Sequence, residues 1–95
     1  MMNVYPEEEA IGIERELAEL LDELREEKKI SRIEWGKIAF ADAVANTQGK
    51  IQDIVGKRGN RKPKRLSVGD FLKLCQALDL EPSQLLAAVL LKHRK

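Results

Sequence analysis

The chain has 95 residues, enough for one domain with a modest hydrophobic core. Its 17 basic and 16 acidic side chains nearly cancel, but they are unevenly distributed. Residues 1–29 carry ten acids and four bases (−6), whereas residues 30–95 carry thirteen bases and six acids (+7). Such asymmetry is typical of proteins that bind nucleic acid. Cys75 is the one cysteine, which excludes an internal disulfide and favours a cytoplasmic location.

We interpret residues 1–6 as an N-terminal arm and residues 7–95 as a single domain. The arm leads into glutamates rather than into a basic and then apolar segment, so it does not look like a signal peptide. The longest apolar run, Leu85–Leu91, is too short to cross a bilayer. We therefore expect no membrane partner.

The first predicted helix extends from Glu7 to Lys29, where apolar residues recur at steps of three and four. Ser31, with Glu34 three residues later, forms a capping box before a second helix, predicted from Arg32 to Ala43. Trp35 and Ile38 lead the predicted buried side of this helix. The acidic outer face of the first helix would repel DNA phosphates, so it should form the back of the molecule or contact another protein.

The third predicted helix is capped by Asn46 or Thr47 and ends near Gly56. Two other glycines are poor helix formers, and each has two interpretations. Gly36, in the second helix, either allows close approach to another backbone or simply lowers stability. Gly49, in the third, either lets the helix approach a DNA backbone or simply lowers stability.

The fourth helix is predicted from Val68 to Leu78 after a Ser67 cap, and the fifth from Pro82 to His93. No strand pattern is present, so the predicted fold is all-α with five helices. The segment Leu85–Leu91 is apolar on every face, and the surplus face predicts a homodimer. The predicted interface residues are Leu86, Val89, Leu90 and Leu91. The predicted core consists of Leu17, Leu21, Leu24, Trp35, Ile38, Ile51, Ile54, Phe71, Leu72, Cys75 and Leu78, and the stripe of the fourth helix begins at Val68.

Seven cations and a single acid lie between Ala45 and Arg65. A hydrophobic core does not accommodate so many cations, so their partner should lie outside the fold, and nucleic acid is the commonest intracellular polyanion. The alternative is a solvated basic loop. The sequence contains no Cys/His cluster, no Ser-His-acid set and no phosphate-binding glycine motif. We therefore expect no enzyme activity, no metal and no cofactor, and His93 receives no role.

Several motifs together resemble the lambda-repressor/Cro-like helix-turn-helix domains of the XRE family, over residues 14–90. The closest piece is LSVGDFLKLCQALDLEPSQLL, residues 66–86, in which the turn at residues 77–80 leads into Glu81-Pro82-Ser83. The segments LRxxK at residues 24–28, Ile30-Ser31 and Arg61-Lys62-Pro63 are also similar to the family pattern. The resemblance implies sequence-specific DNA binding as a homodimer, with the third helix in the major groove and the second across the phosphates.

Within this resemblance, the N-terminal part of the third helix faces base edges. The implied base-contacting residues are Asn46, Thr47, Gln48, Lys50 and Gln52, with Asp53 further along. Cations around this helix are better suited to phosphates, which fix the register but carry no sequence information. These are Arg32, Lys57, Arg58, Arg61, Lys62, Lys64 and Arg65.

The middle of the chain departs from the family pattern. Trp35-Gly36 replaces Leu-Ala, Val55 replaces a glutamate, and the connection between the second and third helices is longer. Two alternatives stand beside the regulator, and these departures favour the second of them. One is the antitoxin of a toxin–antitoxin pair, which represses its own operon and binds a cognate toxin. The other is a protein-interaction module that has lost DNA binding.

Overall fold

Five α-helices and no strand are formed by residues 6–42, 44–56 and 64–93, which are the residues that the computed structural model describes. The all-α prediction is therefore confirmed for this part of the chain. Ala43 and all of the predicted arm except Pro6 lie outside the described residues. The helices are α1 (Glu7–Glu27), α2 (Arg32–Phe40), α3 (Thr47–Val55), α4 (Val68–Ala77) and α5 (Pro82–Lys92).

The starts of three helices are fixed by local side-chain caps, as predicted. The side chains of Ser31 and Ser67 each accept a hydrogen bond of 3.1 Å from the backbone N–H three residues later. Of the two candidate caps for α3, Asn46 forms the bond, with its Oδ1 2.9 Å from the Gly49 nitrogen. Pro82 occupies the first turn of α5, where its missing N–H removes no helical hydrogen bond.

The helices end earlier than predicted. Lys29 and Asp79, just beyond α1 and α4, adopt left-handed backbone conformations with φ of 59° and 56°. In both places the next N–H folds back onto the helix: that of Ile30 to the Arg25 carbonyl at 3.3 Å, and that of Leu80 to the Cys75 carbonyl at 2.9 Å. These bonds satisfy carbonyls that the helix itself leaves without a partner.

Trp35 is fully buried at the centre of the core. Its indole N–H donates a hydrogen bond of 3.2 Å to the Leu74 carbonyl and so connects α2 to α4. Burial of the predicted core is confirmed for most positions, namely Leu17, Leu21, Trp35, Ile51, Ile54, Phe71, Cys75 and Leu78, whereas Leu24 is partly buried against this cluster.

Three apolar residues assigned to the buried stripes are exposed instead. Ile38 is 56% exposed, Leu72 48% and Val68 75%, so these assignments are wrong. In their place, Phe40 and Leu74 are completely buried. Ile38 is exposed because α2 packs against both α3 and α4. Adjacent residues of α2 are therefore buried, and Ile38 lies on the remaining, exposed side of the helix.

No single helix in the described part of the chain is long and apolar enough to cross a membrane. Helices α4 and α5 reach the length and mean hydropathy of a membrane span only when they are taken together, and they are bent by 118° at the break between them.

Candidate nucleic-acid interface

The N-terminal half of α3 is held against α2 by a close backbone approach at Gly36. A methyl group built on Gly36 would lie 2.9 Å from the Thr47 carbonyl oxygen and 3.0 Å from Ile51 Cγ1. Of the two interpretations of this glycine, close approach is therefore confirmed. The first turn of α3, which contains Thr47, lies directly on the middle of α2.

The start of α3 presents few free polar groups. Gln48 is exposed, whereas Thr47 is half-buried. Asn46 is also exposed, but its side-chain oxygen is used in the cap. Gly49 is buried, so its Cα faces the protein rather than an external DNA backbone. Gln48 is thus an exposed member of the predicted base-contacting residues whose side chain is not used in the cap of α3.

Lys50 is held against the protein rather than extended into solvent. Its Nζ lies 3.4 Å from Asp70 Oδ2 and 5.0 Å from the centre of the Phe40 ring. Contact with a base edge would require this ion pair to open. Gln52, one turn after Gln48, is half-buried.

Arg32, a predicted phosphate contact, forms a two-pronged ion pair with Asp22 of α1. Its Nε and Nη2 donate hydrogen bonds of 3.1 and 2.7 Å to the two carboxylate oxygens. Burial alone would raise the pKa of Asp22, but the hydrogen bonds from Arg32 and Arg25 outweigh it and hold the pKa below its ordinary value. The same pair raises the pKa of Arg32.

Arg65 is also bound to acids of α1. It donates hydrogen bonds of 2.8 and 2.6 Å to the two oxygens of Glu14, and one of 2.8 Å to Glu7. The bond from Arg65 lowers the pKa of Glu14, which also accepts the Leu66 N–H at 2.9 Å, and the pairing raises the pKa of Arg65. Two of the predicted phosphate contacts are therefore already neutralised within the fold.

Like Arg65, Lys64 is exposed. Its backbone N–H donates a hydrogen bond of 2.9 Å to the Asp53 carbonyl, which fixes this residue beside α3. The remaining predicted phosphate contacts, Lys57, Arg58, Arg61 and Lys62, lie outside the described residues.

Sequence reasoning missed two arginines that support this site. Arg15 of α1 donates a hydrogen bond of 2.6 Å to the Ile54 carbonyl in the last turn of α3. Arg25 is buried and bonds to Asp22 at 2.9 Å and to the Ile30 carbonyl at 2.7 Å. A signal for Arg25 existed, since it continues the row of buried residues that recur every four positions along α1: Ile13, Leu17, Leu21 and Arg25.

The four residues predicted to form the dimer interface do not share one surface. Val89 is 2% exposed and belongs to the domain core, so its assignment to an interface is corrected. Leu90 packs partly against the same core, whereas Leu86 and Leu91 are 38% and 62% exposed. Nearby, His93 contacts α1, with Nε2 3.0 Å from Glu16 Oε1.

The described residues contain no group of three or more His, Cys, Asp or Glu side chains that could hold a metal ion. Burial, with a smaller contribution from the negative charge of Glu81, raises the pKa of the Cys75 thiol to about 11. A thiol with such a pKa is almost entirely protonated near neutral pH and is a poor nucleophile.

Comparisons with protein-family models, with curated proteins and with solved structures found no match to this chain.

Proposed function

We propose that this protein is a sequence-specific DNA-binding transcriptional regulator of the lambda-repressor-like class, which binds operator DNA as a homodimer. In this proposal α3 enters the major groove and α2 crosses the adjacent phosphates. The observation that carries the proposal is the packing at Gly36, where the Thr47 carbonyl lies 2.9 Å from the position of a built Cβ. So close an approach packs the first turn of α3 directly against α2, and Gln48 in that turn remains exposed.

The chemistry at the start of α3 suits base recognition. Gln48 is exposed at the start of α3, and a glutamine amide can donate to and accept from one adenine edge. Lys64 is exposed and anchored beside the same helix, where it can contact a phosphate. Lys50 would contribute only after release from Asp70.

The experiment begins with selection of bound sequences from random DNA. Affinities for the selected site and for random DNA are then measured for wild type, Gln48→Ala and Gln84→Ala. Gln84 is the matched control, because it is an exposed glutamine on α5. Gln48→Ala should weaken binding to the selected site by about 1–3 kcal/mol and leave binding to random DNA nearly unaffected. Gln84→Ala should bind both DNAs as wild type does. Equal losses on both DNAs would contradict base reading by α3.

A protein-interaction module that has lost DNA binding is supported by a different observation, which also suits the antitoxin variant of the regulator. Acidic residues of α1 form ion pairs with Arg32 and Arg65. Other glutamates of α1 are exposed, which suits a basic protein partner. A gel shift with bulk DNA at low salt separates the two classes. Absence of any shift would favour the interaction module, because phosphate contacts are strongest at low salt.

A further inference from the structure

The connection between α3 and α4 is held at both ends by two adjacent residues of α1, Glu14 and Arg15. At the end of α3, Arg15 Nη1 donates a hydrogen bond of 2.6 Å to the Ile54 carbonyl. At the start of α4, the Glu14 carboxylate accepts the Leu66 N–H at 2.9 Å and two bonds from the Arg65 guanidinium at 2.8 and 2.6 Å. One turn of α1 therefore fixes both ends of this connection.

Lys64 lies between these two points of attachment. Its N–H donates a hydrogen bond of 2.9 Å to the Asp53 carbonyl, and the two residues that follow it are those that bind Glu14. The backbone of Lys64 is thus fixed toward α3 and toward α1, while the residue itself is exposed. A cation on a fixed backbone loses less conformational freedom when it contacts a phosphate.

The charge of Glu14 and its hydrogen bonds predict opposite effects on DNA binding. The hydrogen bond from Arg65 holds the pKa of Glu14 below its ordinary value, so the side chain is an anion at neutral pH. As a charge, Glu14 opposes DNA binding, because it repels phosphates and neutralises the Arg65 cation. As a hydrogen-bond acceptor, it favours DNA binding, because it holds the backbone next to Lys64.

We propose that Glu14 is a positioning residue for DNA binding, which acts through Arg65 and Leu66 to hold Lys64 in the register of the operator complex. The inference rests on the proposed function. Phosphate contacts fix the register of a protein on its site, whereas attraction to random DNA depends on positive charge alone. Glu14 therefore strengthens the sequence-specific complex and weakens the non-specific one.

The first test compares Glu14→Ala with wild type on the selected site and on random DNA. Glu14→Ala should bind the selected site about tenfold more weakly, as expected for the loss of one base contact. It should bind random DNA as tightly as wild type or more tightly, because a negative charge is removed. Equal changes on both DNAs, in a variant whose circular dichroism matches wild type, would overturn the positioning role and leave the proposed function intact.

Glu23→Ala is the matched control for the removed charge. Glu23 is exposed on the same helix, about two and a half turns further on, and therefore on the opposite side of α1 from Glu14. Its replacement should leave the ratio of the two affinities unchanged. If Glu14→Ala does not fold, Glu14→Gln takes its place, since glutamine keeps an acceptor for the Leu66 N–H but loses the charge that pairs with Arg65.

Amide hydrogen exchange gives a second measurement that needs no DNA. The Lys64 N–H bonds to Asp53 and not to Glu14, so its exchange reports positioning rather than the loss of its own partner. In Glu14→Ala this amide should exchange about tenfold faster or more, the factor expected for losing hydrogen bonds to a charged group. In Glu23→Ala it should exchange as in wild type.

Unchanged exchange at Lys64 in Glu14→Ala would overturn the proposal, whatever the affinities for DNA are. Faster exchange at Lys64 in a protein that prefers no DNA sequence would refute the proposed function alone.

Discussion

Replacement of Gly36 by alanine tests the close contact between α2 and α3. The added methyl group would meet the Thr47 carbonyl oxygen at 2.9 Å and Ile51 Cγ1 at 3.0 Å. The first of these atoms belongs to the backbone, so rotation of a side chain cannot relieve the contact. The first turn of α3 would have to move away from α2.

The magnitude follows from comparison with Gly12 of α1, where a built Cβ meets no heavy atom within 4 Å. Glycine-to-alanine replacement in an open helix stabilises by about 1 kcal/mol. That gain applies at both positions, so the difference between the two variants isolates the steric cost, about 1–3 kcal/mol for an overpacked site. Gly12→Ala should therefore be more stable than wild type, and Gly36→Ala should be neutral to destabilised.

Denaturant unfolding followed by circular dichroism gives the free energy of unfolding for all three proteins. Thermal unfolding should separate Gly36→Ala from Gly12→Ala by at least about 4 °C in a domain of this size. Binding to the preferred DNA site should weaken for Gly36→Ala alone, because only there does α3 shift. If both alanines stabilise equally, the close approach of α2 and α3 does not exist in solution.

Three further predictions concern the core, the acid ion pairs and the phosphate contacts. Phe71→Ala should lower the free energy of unfolding by about 3–5 kcal/mol, and Leu72→Ala, at a 48% exposed site, by clearly less. The folded-state pKa of Asp22 lies below its ordinary value of 3.8, so its stabilisation is complete above that pH and disappears as pH falls through the folded-state pKa. Asp22→Asn should therefore be less stable than wild type at neutral pH, and this difference should vanish in acid unfolding titrations. Lys64→Ala should reduce the slope of the logarithm of the DNA association constant against the logarithm of salt concentration by about one unit per subunit, whereas Lys92→Ala on α5 should not. Equal slopes for the two variants would show that Lys64 does not contact a phosphate.

Helix starts could be predicted from the sequence because their signals are local. Ser31, Asn46 and Ser67 cap the turn that immediately follows them. Helix ends were less predictable, since the left-handed positions after α1 and α4 are Lys29 and Asp79 rather than glycine. Side chains of these types also occur within helices, so the pattern continued past the actual end.

The burial of a side chain could be predicted from the sequence only where its position does not depend on how two neighbouring helices pack. The helical period identified Trp35, but it could not distinguish Ile38 from Phe40, because that choice depends on how α3 and α4 divide the surface of α2. Long-range ion pairs are a harder case. Arg65 and Glu14 are 51 positions apart, and only the folded chain brings them together. The charge pattern therefore identified a cationic segment without revealing that α1 neutralises part of it.

Trp35 is an intrinsic fluorophore at the contact between α2 and α4. It is the single tryptophan of the chain, it is fully buried, and its indole N–H bonds to the Leu74 carbonyl across the α2–α4 contact. Selective excitation should give blue-shifted emission from the folded protein and a red shift on unfolding. Because the ring is shielded from solvent, a soluble quencher such as iodide should reach it only when α2 and α4 separate. Quenching rates thus measure the opening of this contact without any attached label.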